Sequence, residues 1–103
     1  MLYEVDRVLL ESKPEIRIGD RVFAVDDRMS TFAKMNRALA EAKTELTEFD
    51  IVIGNGLSEE ALAEIRGMDL SFAAMHRVVV LIMAAMQGVS EEEAKRRFQS
   101  NQQ

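Results

Sequence analysis

The sequence predicts a small α+β domain that is mostly α: an N-terminal β-hairpin, with a candidate third strand ahead of it, followed by a bundle of about four helices. Three observations carry this reading. A Gly19-Asp20 pair separates two alternating segments. At Asp26-Asp27 the apolar spacing changes from two to steps of three and four. Beyond that point, cap-forming residues and glycines divide the helical pattern into separate stretches. With 103 residues, 48% of them apolar and 30% charged, the chain has globular composition and enough length for one core but not two. It reads as a single domain, with a β-element over 1–26, a helical body over 27–99 and a polar tail, 100–103, expected to fray.

The hairpin is justified by its loop, since glycine accepts the positive φ that a two-residue turn demands. Pairing outward from Gly19-Asp20 sets Ile18 opposite Arg21, Ile16 opposite Phe23 and Glu15 opposite Ala24. Ile16, Ile18, Phe23 and Val25 then share one face, which is the sheet's contribution to the core. Tyr3 to Leu10 is β-permissive and supplies the candidate third strand.

Asp26 and Asp27 are placed to cap a helix and oppose its dipole. The stripe Phe32, Met35, Leu39, Ala42, Leu46, Phe49 and Ile53 implies one long helix ending at Gly54-Asn55-Gly56, with Thr44 or Thr47 available to cap a second helix if it breaks. Ser58 opens a further helix that Gly67 stops. Asp69 or Ser71 opens the next, which runs to Gly88. Ser90 followed by Glu93 has the spacing of a capping box and starts a short last helix with Ala94 and Phe98 turned inward.

The apolar run Val78 to Met86 has no polar side when wound into a helix, so every face of it needs cover. It is too short to cross a membrane, which takes roughly 20 apolar residues. A core of this size seldom hides a helix completely. Most of the run is therefore expected to be core, with one edge, Val80, Met83 and Gln87, meeting a partner or a second copy of the chain.

The composition excludes several function classes. The formal charge of −5 disfavours nucleic acid as a partner, because such affinity rests on clustered lysine and arginine. The absence of cysteine removes disulfides and thiolate chemistry. Glu4, Asp6 and Arg7 interrupt the N-terminal apolar residues, so no secretion signal and a cytoplasmic location are expected. His76 is the one histidine and has no company that would make it catalytic or a metal ligand, so it reads as a surface or interface residue. Asp20, Asp26 and Asp27 lack calcium-loop spacing and are explained by turns and caps. Gly54-Asn55-Gly56 has no preceding strand and no following Lys-Ser or Lys-Thr, so it is not a phosphate loop. No catalytic residue, cofactor or metal is expected. Met35, Met68, Met75, Met83 and Met86 fall on apolar stripes and are expected to pack the core. Basic residues gather in Arg28 to Lys43 and acidic ones in Glu45 to Asp69, giving the surface two signs.

Two stretches, EIRIGDRVFAVDDR and MDLSFAAMHRVVVLIMAAMQGVSEEEAKRRF, resemble the small tail assembly chaperones encoded by prophages and long-tailed phages of Gram-positive bacteria. The likeness is a hairpin entering a helical body, and an apolar helix that ends in glycine before a Ser-plus-Glu cap. It implies a non-enzymatic protein that binds the tape measure protein and helps tail tube subunits assemble around it. Such a protein forms homo-oligomers, contacts the tube protein, works in the bacterial cytoplasm and is absent from the mature virion. Motifs of this kind are structural, and no individual functional residue is carried over. The competing expectation is a homo-oligomeric scaffold or regulatory module whose Phe32 to Ile53 stripe pairs with itself.

Overall fold

The fold is that of a computed structural model describing residues 1–5 and 13–101, and the chain is α+β and mostly α as the sequence predicts. Strands β1 (Glu15–Ile18) and β2 (Arg21–Ala24) precede helices α1 (Met29–Glu41), α2 (Glu45–Gly56), α3 (Glu59–Gly67), α4 (Phe72–Gln87) and α5 (Glu91–Asn101). Among the described residues this is one helix more than expected, because the single long helix is divided. Helix α4 is the centre, packed against α2, α5 and β1, while α2 also carries α1 and α3.

The hairpin register is the one read from the sequence: Glu15 faces Ala24, Ile16 faces Phe23, Arg17 faces Val22 and Ile18 faces Arg21. Gly19 takes φ +64° and Asp20 does not go positive, the pattern of a type II′ turn. Ile16, Phe23 and Val25 are buried and Ile18 half-buried against the helices. The sheet among the described residues has two strands. Residues 1–5, including the start of the candidate third strand at Tyr3, carry no regular structure, and Asp6 to Leu10 lie outside the described residues.

The stripe from Phe32 to Ile53 is broken at 42–44. Ala42 and Thr44 take extended backbone, and the Thr44 hydroxyl accepts from the Thr47 N–H at 3.2 Å to cap α2. This lets α1 pack against α2, burying Met35, Phe49 and Ile53 between elements of one chain. The self-pairing stripe expected of a scaffold is thereby covered internally. Leu46 alone leaves the stripe and is 66% exposed.

Three local expectations are corrected. Asp26 and Asp27 do not cap α1, whose N-cap is Arg28 without a side-chain bond. The Asp26 carboxylate instead accepts from the Arg28 guanidinium at 2.8 and 2.9 Å and from the Thr31 hydroxyl at 2.8 Å. Gly67 ends α3 as expected, with the left-handed turn that follows on Asp69, at φ 51°. Ser90 caps α5 through the Glu93 N–H at 3.2 Å, while the Glu93 side chain turns away to Arg96 and Arg97, so the reciprocal half of the capping box is not made. Helix α5 also continues through Asn101, past the expected start of fraying, and 102–103 lie outside the described residues.

The glycines of Gly54-Asn55-Gly56 do not end α2 by a left-handed turn, since neither has positive φ. Gly56 is instead a contact. A Cβ there would stand 2.5 Å from Ile82 Cγ2 and 3.4 Å from Met86 Sδ, so α2 approaches α4 as only glycine allows. The Gly56 carbonyl also accepts from the Asp26 N–H at 2.8 Å, which fixes the exit of the hairpin to the end of α2.

Gly56→Ala is expected to destabilise the fold by about 1–3 kcal/mol, because Ile82 is β-branched and cannot swing its methyl aside. Gly67→Ala, with nothing within 4 Å of its Cβ, should be neutral or stabilising by up to about 1 kcal/mol. Urea unfolding of the two variants checks both signs. A second expectation concerns pH. The Arg28 guanidinium beside Asp26, helped by Thr31, holds the carboxyl well below the ordinary carboxylate range. A depressed folded-state value contributes stability that is complete above the unfolded value of about 4 and is lost as pH falls below it toward the folded value. The difference in stability between wild type and Asp26→Asn should therefore be about 0.5–1.5 kcal/mol at neutral pH and narrow on acidification below about pH 4, as thermal melts across that range would record.

Candidate functional site

The expected partner edge on α4 is corrected by its burial. Val80 is 2% and Met83 1% exposed, both inside the core. Gln87 is half-buried and its Oε1 accepts from the Arg97 guanidinium, which holds it against α5. The run Val78 to Met86 is covered on most sides by α2, α5 and β1, and its least covered members are Leu81 and Ala85, half-buried on a different stripe from the one expected. Met35, Met83 and Met86 are core residues, with Met68 and Met75 packed partly buried against them.

Apolar surface remains elsewhere. Where the first turns of α2 and α4 meet the last turn of α3, the elements leave a groove of about 400 Å³. It is lined by Leu46 and Phe49 of α2, Ile65 of α3, Leu70 of the following turn, and Phe72 and Met75 of α4. Phe49 and Ile65 are fully buried beneath it, whereas Leu46 and Phe72 stand 66% and 56% exposed at its lip. Phe72 leans on Phe49 with ring centroids 5.3 Å apart, which fixes its position without covering it.

The local sequence explains why these two side chains stay open. Thr44 caps α2 and Ser71 caps α4, through the Ala74 N–H at 3.1 Å, so Leu46 and Phe72 fall in first turns. A first-turn side chain has no preceding turn of its own helix to lie against. The signal available in the sequence was a large apolar residue one or two positions after a cap, and periodicity alone assigned both residues to the core.

Three charged side chains edge the groove: Asp50, Arg66 and Asp69. Arg66 is bonded to Asp50 across α2 and α3. Asp69, exposed at the left-handed turn, makes no ion pair among the described residues. A second, more polar depression of about 320 Å³ lies among Asn36, Leu39, Ala40, Glu48 and Phe98.

No family model, curated protein or solved structure matches the chain. The site is therefore read from its own geometry.

His76 is half-buried with its ring edge-on between Phe49, at 6.1 Å, and Phe98, at 5.8 Å, so it joins α2, α4 and α5 by packing rather than standing at the surface. Among the described residues no polar or charged side chain is buried and no group of three or more His, Asp or Glu is placed to hold a metal ion. Ion pairs lie outside. Arg21 forks onto Glu64, tying β2 to α3 and holding the Glu64 carboxyl below its ordinary value through that hydrogen bond. Arg77 pairs with Glu91 at 3.2 Å, and Arg97, aided by Arg96, lowers Glu93 in the same way. Among the described residues no single helix is long and apolar enough to cross a membrane, and α4 meets α5 at 107°.

Val80→Asp and Met83→Asp each bury a carboxylate in an apolar core and should cost about 4 kcal/mol or more. Leu46→Ser and Phe72→Ser alter exposed side chains and should each shift stability by less than about 1 kcal/mol. Circular dichroism melts of the four variants distinguish core from lip.

Proposed function

We propose that this chain is a non-enzymatic tail assembly chaperone of a long-tailed phage or prophage. In this reading it binds the tape measure protein in the cytoplasm of the bacterial host, promotes polymerisation of the tail tube around it and is left out of the finished virion. The observation that carries the reading is the groove with Leu46 and Phe72 at its lip. It is an open, apolar, preformed surface on a body whose core is otherwise sealed, and a tape measure helix has an apolar face that needs cover until the tube encloses it. The lining favours binding over chemistry, since two of its three ionisable groups are paired with each other. Support from the sequence is the likeness of the hairpin and of the closing helices to that chaperone family.

The experiment is co-expression with overlapping fragments of the tape measure protein encoded in the same genome. One or more helical fragments should become soluble and co-purify with the wild-type chain, and the double variant Leu46→Ser, Phe72→Ser should retain at most about a tenth of that association. If folded wild-type protein captures none of the fragments, or if the double variant captures them equally well, the reading fails.

A further inference from the structure

We infer that the groove selects an amphipathic helix whose apolar stripe is flanked by lysine or arginine, and discriminates against the same stripe flanked by carboxylates. This rests on the binding role proposed above and adds the chemistry of the partner. The apolar part of the site, Leu46, Phe49, Leu70 and Phe72, surrounds a hollow of about 400 Å³ that can take neighbouring side chains from one face of an amphipathic helix. Such a surface does not by itself choose between helices.

The charges around it do. Among the described residues Arg66 is the one cation that lines the groove, and it is already bonded to Asp50. Asp69 at its edge is an exposed carboxylate with no ion pair among the described residues. Helix ends also act here. The first turns of α2 and α4 contribute about half a positive charge each and the last turn of α3 about half a negative one. The full carboxylate of Asp69 outweighs that remainder, and the chain as a whole carries −5. A bound helix with cations beside its apolar stripe meets Asp69 favourably, while one with carboxylates there meets like charge as its surface is desolvated. The basic helix of a second copy is not the occupant. In α1 the stripe Phe32, Met35 and Leu39 already packs on α2, and Met29 is the large apolar side chain it leaves exposed, which is not a stripe that could fill a groove.

The test uses two dye-labelled model helices of about 18 residues with one leucine stripe at i, i+3, i+4 and i+7, flanked by lysine in one and glutamate in the other. Fluorescence anisotropy against the full chain should show the lysine helix binding at least about tenfold more tightly at low salt, with the preference shrinking above about 0.5 M salt. Asp69→Asn keeps a residue that tolerates the left-handed turn and should weaken the lysine helix by about threefold while leaving melting unchanged. Leu46→Ser with Phe72→Ser should weaken both helices. Equal binding of the two helices, binding of neither, or binding indifferent to the lip variants would each overturn the inference. So would light scattering that shows a dimer dissociated by the lip variants, since the groove would then hold a second copy. The chaperone reading is judged separately by capture of tape measure fragments, which can succeed through the lip residues even if charge selection fails.

Discussion

Helix α2 meets helix α4 at Gly56 so closely that a single methyl group would collide with Ile82. Most of the arrangement follows from that approach. It brings Phe49, Val52 and Ile53 onto α4 and leaves each of them at most 2% exposed. Each large side chain removed from water in this way contributes about 1.5–3 kcal/mol, against the entropy of ordering it. The same glycine accepts the Asp26 N–H, so the hairpin is anchored where the two helices touch. Its apolar face of Ile16, Phe23 and Val25 joins the same core.

A central helix covered on most sides moves the question of function to the ends of the elements. Helix α4 is largely enclosed along Val78 to Met86, and the exposed large apolar side chains of the helical body, Met29, Leu46 and Phe72, belong to first turns, where a side chain has helix on one side only. Leu46 and Phe72 are held in place by their capped helices and by Phe49 below, so they form a fixed lip around a preformed hollow. Preformed surface of this kind binds without the entropy of ordering itself, which suits transient cover of a partner's helix.

Electrostatics contributes little to holding the fold and more to its exterior. The core among the described residues contains no buried polar side chain, and the ion pairs that bridge elements are solvent-exposed. Pairs of that kind add little stability, because water screens them and ordering two long side chains opposes them. Their effect is on orientation: Arg21 with Glu64 aligns the hairpin on α3, and Arg66 with Asp50 sets α3 beside α2 at the groove. Asp69, at the groove edge without such a partner, gives that surface its sign.

Local chemistry determined the class, the hairpin register and most of the helix starts. Gly19 with alternating neighbours admits one pairing, and Ser58, Ser71 and Ser90 each accept the N–H three residues on, as their positions implied. These features depend on residues a few positions apart, so they are legible in a string of letters. Three others were decided only when the elements came together. A stripe spaced in threes and fours continues across a break, so periodicity could not separate α1 from α2 until they packed on each other. Glycine in a helix looks like a stop unless the neighbouring helix is known, and Gly56 is explained by Ile82 in α4. The run Val78 to Met86 has no polar position to mark an outside. Which stripe is open was set by the hairpin, α2 and α5 around it, and they left Val80 and Met83 inside and the lip at Leu46 and Phe72.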